Sequence, residues 1–246
     1  MFFIERIFRF IWFATVMTYR TIKAFIGCLF LKNKNDFFFS EMKKWANEVL
    51  KSMETEVVVR GTENISPDET YIFIANHTGY IDIPILVKAI PDNIHFMYRK
   101  SLEKIPMLGL ALKTSPFIPI VRENNKNAMK GVEKAVESLQ NSGSIILFPE
   151  GTRSKNGELL PFKRGAFLIA SKSQKTIIPI TVVGVEKIFP SDKKFYFRKG
   201  KIIVTINPPI EKLSDERNQL MQQINSLEAF YQEQIKFVKI EVENVK

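Results

Sequence analysis

From Glu56 onward the chain alternates short runs rich in Val, Ile and aromatic residues with stretches of helical periodicity, and this alternation constrains the fold more than any other feature. The β-rich runs predict strands at 57–60, 70–75, 94–99, 117–121, 144–148, 176–184 and 201–207. Helical segments fit between them at 82–90, 101–113, 125–141 and 162–173, with Met129, Val132, Val136 and Leu139 as the buried stripe of the third. A long helix from about Asp215 carries Leu220, Ile224, Leu227, Tyr231, Ile235 and Val238 at helical spacing. Elements alternating in this way give an α/β fold, a mostly parallel or mixed sheet with helices against it. No internal repeat, low-complexity tract or linker follows residue 60, so residues 56–246 are expected to form one domain.

Residues 1–55 form a different kind of segment. The first 31 residues are rich in Phe and Ile, but charges break them into apolar runs of about ten residues, short of the roughly 20 that span a bilayer. At about 100° per residue, Glu5, Arg6, Arg9, Arg20 and Lys23 fall within one arc of roughly 100°, with Phe2 and Phe13 as exceptions inside it. This predicts an amphipathic helix in a membrane interface, its basic stripe near anionic headgroups. A secretory leader would carry its positive charges before the apolar run and a small-x-small site after it; here Arg20 and Lys23 follow the run and no such site is present. A second amphipathic helix follows the polar break at 32–35, with Asp36 as its cap and Phe38, Met42, Trp45, Val49 and Met53 recurring at helical spacing. Packing on the protein core is the alternative for both helices, more so for the second.

Lys and Arg number 36 against 26 Asp and Glu, a net charge of +10, which points to an anionic partner. The aromatics cluster in the first 45 residues beside apolar faces instead of alternating with basic residues on the strands, so no nucleic-acid partner is expected. A single cysteine, Cys28, excludes an intramolecular disulfide, and two histidines cannot build a Cys/His zinc cluster; no metal site is expected.

Open sheets of this class place ligands beyond the carboxyl ends of their strands. After the strand at 70–75 comes Asn76-His77-Thr78-Gly79-Tyr80-Ile81-Asp82. A histidine acts as a base when a carboxylate on its other ring nitrogen fixes the tautomer and stabilises the imidazolium, and Asp82 is placed to reach back to His77. An Asx-type turn, in which Asn76 and Asp82 only cap backbone groups, fits the same spacing. After the strand at 144–148 comes Phe148-Pro149-Glu150-Gly151-Thr152-Arg153-Ser154. Gly151 allows close approach of backbone to a ligand, and Arg153 offers a planar fork to phosphate oxygens; a turn held by a Glu150–Arg153 ion pair is the alternative. Lys100 and Arg122 end two further strands.

The blocks NHTGYID, KSLEKIPMLG at 100–109, Arg122, FPEGTRS and IIPI at 177–180 occur in the order and rough spacing of the glycerolipid acyltransferases. From about Val59 to about Pro209 the chain resembles the 1-acylglycerol-3-phosphate acyltransferase family, also called lysophosphatidic acid acyltransferases, and the His-x4-Asp and Phe-Pro-Glu-Gly-Thr-Arg blocks together are highly specific. The resemblance implies a peripheral enzyme of phospholipid biosynthesis on the cytoplasmic face of a membrane. It would transfer a fatty acyl group from an acyl carrier protein or coenzyme A thioester to the sn-2 hydroxyl of 1-acylglycerol 3-phosphate, giving phosphatidic acid. No cofactor and no covalent acyl-enzyme are implied. His77 would be the general base and Asp82 its partner, with Glu150, Gly151, Thr152, Arg153, Arg122 and Lys100 around the substrate phosphate. Another lysophospholipid, glycerol 3-phosphate or an aminoacyl-lipid remains open as acceptor. The helix pair before residue 55 also resembles the amphipathic pair that bacterial members lay on the membrane. Two departures stand out: the family commonly has Ser where this chain has Gly79, and Gly in the stretch that here reads Ser115-Pro116-Phe117.

Overall fold

The structure, a computed structural model, describes residues 2–79, 81–120, 132–133, 136–137, 143–154, 156–189, 198–210 and 212–244. Helices α1 (Phe2–Phe30) and α2 (Lys34–Ser52) lead into β1 (Thr55–Arg60). There follow β2 (Tyr71–Ala75), α3 (Asp82–Ala89), β3 (His95–Arg99), α4 (Leu108–Thr114), β4 (Ile118–Ile120) and β5 (Ile145–Leu147). The chain ends with α5 (Arg164–Ser173), β6 (Thr176–Val183), α6 (Val185–Ile188), β7 (Gly200–Ile206) and α7 (Arg217–Asn244). The 7 strands form one sheet in the order β1-β7-β6-β2-β5-β3-β4. All neighbours are parallel except β6 and β7, so the sheet is mixed, with β1 and β7 running against the other strands.

The pleat sends alternate side chains into two hydrophobic layers. Tyr71, Phe73, Ile178, Ile180, Ile202 and Val204 meet α2 and α3 on one face; Ile72, Ile74, Ile145 and Ile177 meet α5 and α7 on the other. Tyr231 of α7 is fully buried, and its hydroxyl accepts the Ile180 N–H at 3.0 Å while donating to the Ile74 carbonyl. The last turn of β2 is thereby tied to α7. At its end Asn76 acts as a short extra rung: its amide donates to the Val182 carbonyl at 2.9 Å and accepts the Val182 N–H at 2.7 Å.

Three expectations change. The helix expected at 101–113 is split into a 3₁₀ turn at Lys100–Lys104 and α4, because Pro106 has no N–H to continue it and Met107 turns back with φ +59°, Leu108 N–H donating to the Pro106 carbonyl at 2.7 Å. Asp36 does not cap α2; the helix begins earlier, with Asn33 before it, and Asp36 lies in its first turn. The third concerns α1. Arg20 faces α2, where its guanidinium binds Glu41 at 2.7 Å and also Glu48, while Lys23 reaches Glu41 at 3.1 Å. Arg20 therefore belongs to the helix pair and not to a headgroup layer. Of the helix expected at 125–141, Val132, Glu133, Val136 and Glu137 are helical; its remaining positions lie outside the described residues.

The second helix is part of the main core: Phe38, Phe39, Met42, Ala46, Val49, Leu50 and Met53 are all buried with the sheet. At about 1.5–3 kcal/mol for each large apolar side chain removed from water, this face far outweighs any single ion pair in holding α2. The ion cluster instead holds α1 on α2. Burial alone would raise the Glu41 carboxyl, but hydrogen bonds from Arg20, Lys44 and Lys23 bring it down to about 2. Its folded value lies below the ordinary 4.5, so the stabilisation is fully present above pH 4.5 and is lost as pH falls toward 2. Glu41→Gln is expected to cost about 3 kcal/mol of stability at neutral pH, as breaking a buried pair does. Thermal denaturation should show the gap between wild type and variant closing as the pH is lowered through 4 to 2.

Candidate active site

His77 leaves the carboxyl end of β2, and Asp82 opens α3 one loop later. The loop folds so that the carboxylate points back: Asp82 Oδ2 lies 2.6 Å from His77 Nδ1 and accepts the Thr78 N–H at 2.7 Å and the Gly79 N–H at 2.9 Å. Its Oδ1 accepts the Thr78 hydroxyl at 3.2 Å. Asp82 has no exposed surface, whereas a fifth of the His77 side chain (20%) is open. The catalytic-pair and turn-capping arrangements are thus one structure: the same oxygen caps two backbone donors and meets the ring. A carboxylate at Nδ1 makes that nitrogen the N–H donor, which leaves Nε2 as the proton acceptor.

Sheet order brings the second block to the first. β5 pairs directly with β2, so the loop after β5 lies beside His77 although the sequence separates them by 73 residues. Glu150 Oε1 accepts the His77 N–H at 2.6 Å and Oε2 accepts the Leu160 N–H at 2.9 Å. Ser154 N–H donates to the His77 carbonyl at 2.8 Å, and the Phe148 ring stacks on the imidazole at 4.1 Å between centroids. Burial pushes the Glu150 carboxyl above its usual range, against the lowering effect of its two N–H partners.

Gly151 adopts φ +64°, a left-handed turn that only glycine makes without strain, and it separates the inward Glu150 from exposed Thr152 and half-buried Arg153. Lys163, one residue before α5, lies along the same turn: a Cβ on Gly151 would sit 3.1 Å from its Cδ. Sequence reasoning passed over Lys163, and the signal for it was the pair Lys163-Arg164 at the start of α5, where the Lys163 N–H donates to the Pro149 carbonyl of the FPEGTRS loop at 2.8 Å. Lys100 is exposed after β3, which β5 separates from β2, so its backbone stands about 10 Å along the sheet from the end of β2. Arg122 lies outside the described residues. The second histidine, His95, is buried at the opposite end of the strands, where burial lowers its pKa and its Nδ1 meets the Ser144 carbonyl. Among the described residues no group of His, Cys, Asp and Glu is arranged to hold a metal ion.

A family model described as Acyltransferase matches residues 56–183, from β1 to the end of β6, and so contains every element just described around His77. The chain belongs to the acyltransferase family. Similar curated proteins include a chloroplastic 1-acyl-sn-glycerol-3-phosphate acyltransferase of Brassica napus, 31% identical over 205 residues that cover 80% of this chain and 59% of the relative. Another is the 1-acyl-sn-glycerol-3-phosphate acyltransferase of Saccharomyces cerevisiae, 35% identical over 158 residues, 63% of this chain and 52% of the relative. The chain spans about half the length of the curated relatives it matches. A crystal structure of the 1-acyl-sn-glycerophosphate acyltransferase PlsC of Thermotoga maritima shares the fold, with a TM-score of 0.81 over 97% of this chain and 98% of that chain at 24% identity.

Within the acyltransferase fold, Gly79 has a packing reason. A Cβ at this position would lie 2.8 Å from Val185 Cγ1, a fully buried side chain at the start of α6. Val185 therefore fills the space that a serine side chain would need. Gly79→Ser should destabilise the protein by about 1–3 kcal/mol, the usual cost of overpacking. Adding Val185→Ala should restore part of the loss that Gly79→Ser causes; a denaturant double-mutant cycle with strictly additive effects would count against this account.

Proposed function

We propose that this chain transfers a fatty acyl group from an acyl thioester to the sn-2 hydroxyl of 1-acylglycerol 3-phosphate, giving phosphatidic acid for phospholipid synthesis. One observation carries the reading: a partly open imidazole whose Nδ1 is committed to a fully buried carboxylate 2.6 Å away. In this reaction Nε2 of His77 takes the proton of the acceptor hydroxyl as its oxygen attacks the thioester carbonyl carbon. The tetrahedral oxyanion then collapses, the carbon–sulfur bond breaks, and the leaving thiolate recovers the proton from the imidazolium. Asp82 holds the productive tautomer and balances the imidazolium charge. No acyl-enzyme forms, and the only co-substrate is the thioester, carried by coenzyme A or an acyl carrier protein, whose acidic surface suits a chain of net charge +10. Arg153, with its loop partners Gly151 and Thr152 and with Lys163, supplies the phosphate side of the site, to which Lys100 and Arg122 add charge.

The acceptor is a membrane lipid, and α1 offers the surface that meets it. No helix among the described residues is long and apolar enough to cross a membrane. Yet Phe8, Ile11, Trp12, Tyr19, Ile22, Ile26, Leu29 and Phe30 are exposed, and at about 100° per residue they lie within one arc of roughly 100° on the side of α1 away from Arg20. That stripe, and not the basic arc, is the face for the bilayer. Within residues 1–55, α1 thus serves as the membrane-facing element while α2 seats it on the core, and residues 56–246 form the catalytic domain, on the cytoplasmic face where thioester donors occur.

Purified protein should acylate lysophosphatidate from a coenzyme A or carrier-protein thioester; failure with lysophosphatidate under both donors would end this reading. His77→Ala is expected to lower kcat by about 10²–10⁴ with little change in acceptor KM. Asp82→Asn can keep a hydrogen bond to Nδ1 but lacks the charge, so it too should lose kcat, and the double variant should be little worse than His77→Ala alone. Replacing Phe8, Trp12 and Phe30 together by Ser should release the protein from liposomes in a flotation assay; undiminished flotation would move the membrane contact elsewhere.

A further inference from the structure

Glu150 belongs to the block that the family resemblance assigns to the substrate phosphate, yet its carboxylate is only 1% exposed. Both of its oxygens already accept backbone donors, Oε1 the His77 N–H at 2.6 Å and Oε2 the Leu160 N–H at 2.9 Å. A carboxylate in that position is also the wrong charge to meet a phosphate. We infer that Glu150 is a positioning residue: it fixes the backbone of His77 from behind, so that the imidazole is aimed by two buried carboxylates, one on its ring and one on its main chain. This rests on the acyl-transfer role proposed for His77.

The geometry makes the assignment specific. A main-chain N–H in a loop between strand and helix has no ladder partner, and a buried donor of this kind requires an acceptor. Glu150 provides it from the loop after the neighbouring strand, and Ser154 N–H holds the His77 carbonyl at 2.8 Å from the same loop. Both backbone groups of His77 are therefore bound to residues 150–154, while Phe148 bounds one face of its ring. The second oxygen of Glu150 extends the tie to Leu160, which draws the loop closed after Gly151. A shift of the β5 loop must accordingly displace the imidazole. The left-handed turn at Gly151 is what permits this arrangement, since it sends Glu150 inward while the chain turns outward toward Arg153.

Glutamine in place of Glu150 can accept one of the two N–H groups but opposes the other with its own NH2. Glu150→Gln should lower kcat on lysophosphatidate about 10- to 100-fold, the scale of a small misplacement of a catalytic group, and leave acceptor KM within about twofold. A raised KM with unchanged kcat would place Glu150 in the phosphate site and overturn the inference. The chain has 2 histidines, which gives a readout independent of substrate: in imidazole nitrogen NMR the His77 signals of Glu150→Gln should move, while those of His95, at the other end of the strands, should not. Unmoved His77 signals would also overturn it. A wild-type protein inactive on lysophosphatidate would sink the proposed function, and the NMR comparison would still decide the role of Glu150. If the variant does not fold, the wild type suffices: the His77 amide proton should resonate far downfield and exchange slowly, and an amide that exchanges as fast as an open loop would refute the tie.

Discussion

The structure depends on the burial of Asp82. Removing a carboxylate from water costs several kcal/mol unless donors replace the lost hydration. Four groups do so here, the Thr78 and Gly79 N–H, the Thr78 hydroxyl and the His77 ring, and all four come from the five residues before it. That requirement fixes the loop: no extended path between β2 and α3 would bring those donors to one side chain. The imidazole is one of the donors, so the histidine is oriented by the same demand that shapes the turn.

A local turn alone would still leave His77 hinged at its own backbone, and the sheet removes that freedom. Because the chain inserts β5 between β2 and β3, the loop after β5 reaches His77 and holds its N–H and carbonyl through Glu150 and Ser154. On the other side Asn76 is clamped to β6 and Tyr231 ties Ile74 to Ile180. Burial drives the Tyr231 phenol well above its ordinary range, so it remains a neutral donor wherever the fold survives. Strand order thus converts distant sequence blocks into one rigid mount.

Much of this was legible in the sequence because it rests on short-range patterns. All seven strands appear within two residues of where β-rich runs predicted them, since Val and Ile on a doubly covered sheet leave an unambiguous trace. The spacing of His77 and Asp82 showed that they could meet, and the structure joins the ring contact and the turn caps on one carboxylate. What the sequence could not show was direction. Periodicity gave α1 a basic arc but not the partner that Arg20 within it faces, and Glu41 and Glu48 of α2 turned that arginine inward. Nor could composition show that Glu150, beside an arginine, points to backbone groups and not to a ligand. The break at Pro106 was visible as a residue, but its consequence was masked by the apolar spacing on both sides of it.

The inward turn of Arg20 also bears on the membrane contact proposed for α1. With its charge satisfied by Glu41 and Glu48, α1 needs no anionic surface to neutralise that group, and its opposite face is free of charged residues at the exposed apolar positions. The same helix packs against α4, which leads away from the carboxyl end of β3, the end of the sheet at which His77 stands. A lipid whose chains remain in the bilayer presents its hydroxyl and phosphate only at the interface. For the base proposed here, held through ring and backbone alike, such a substrate must be brought to a fixed height. In the proposed arrangement, a helix tied to α2 by the ion cluster around buried Glu41, and meeting the bilayer through an apolar stripe, sets that height in a way that a loosely attached basic anchor would not.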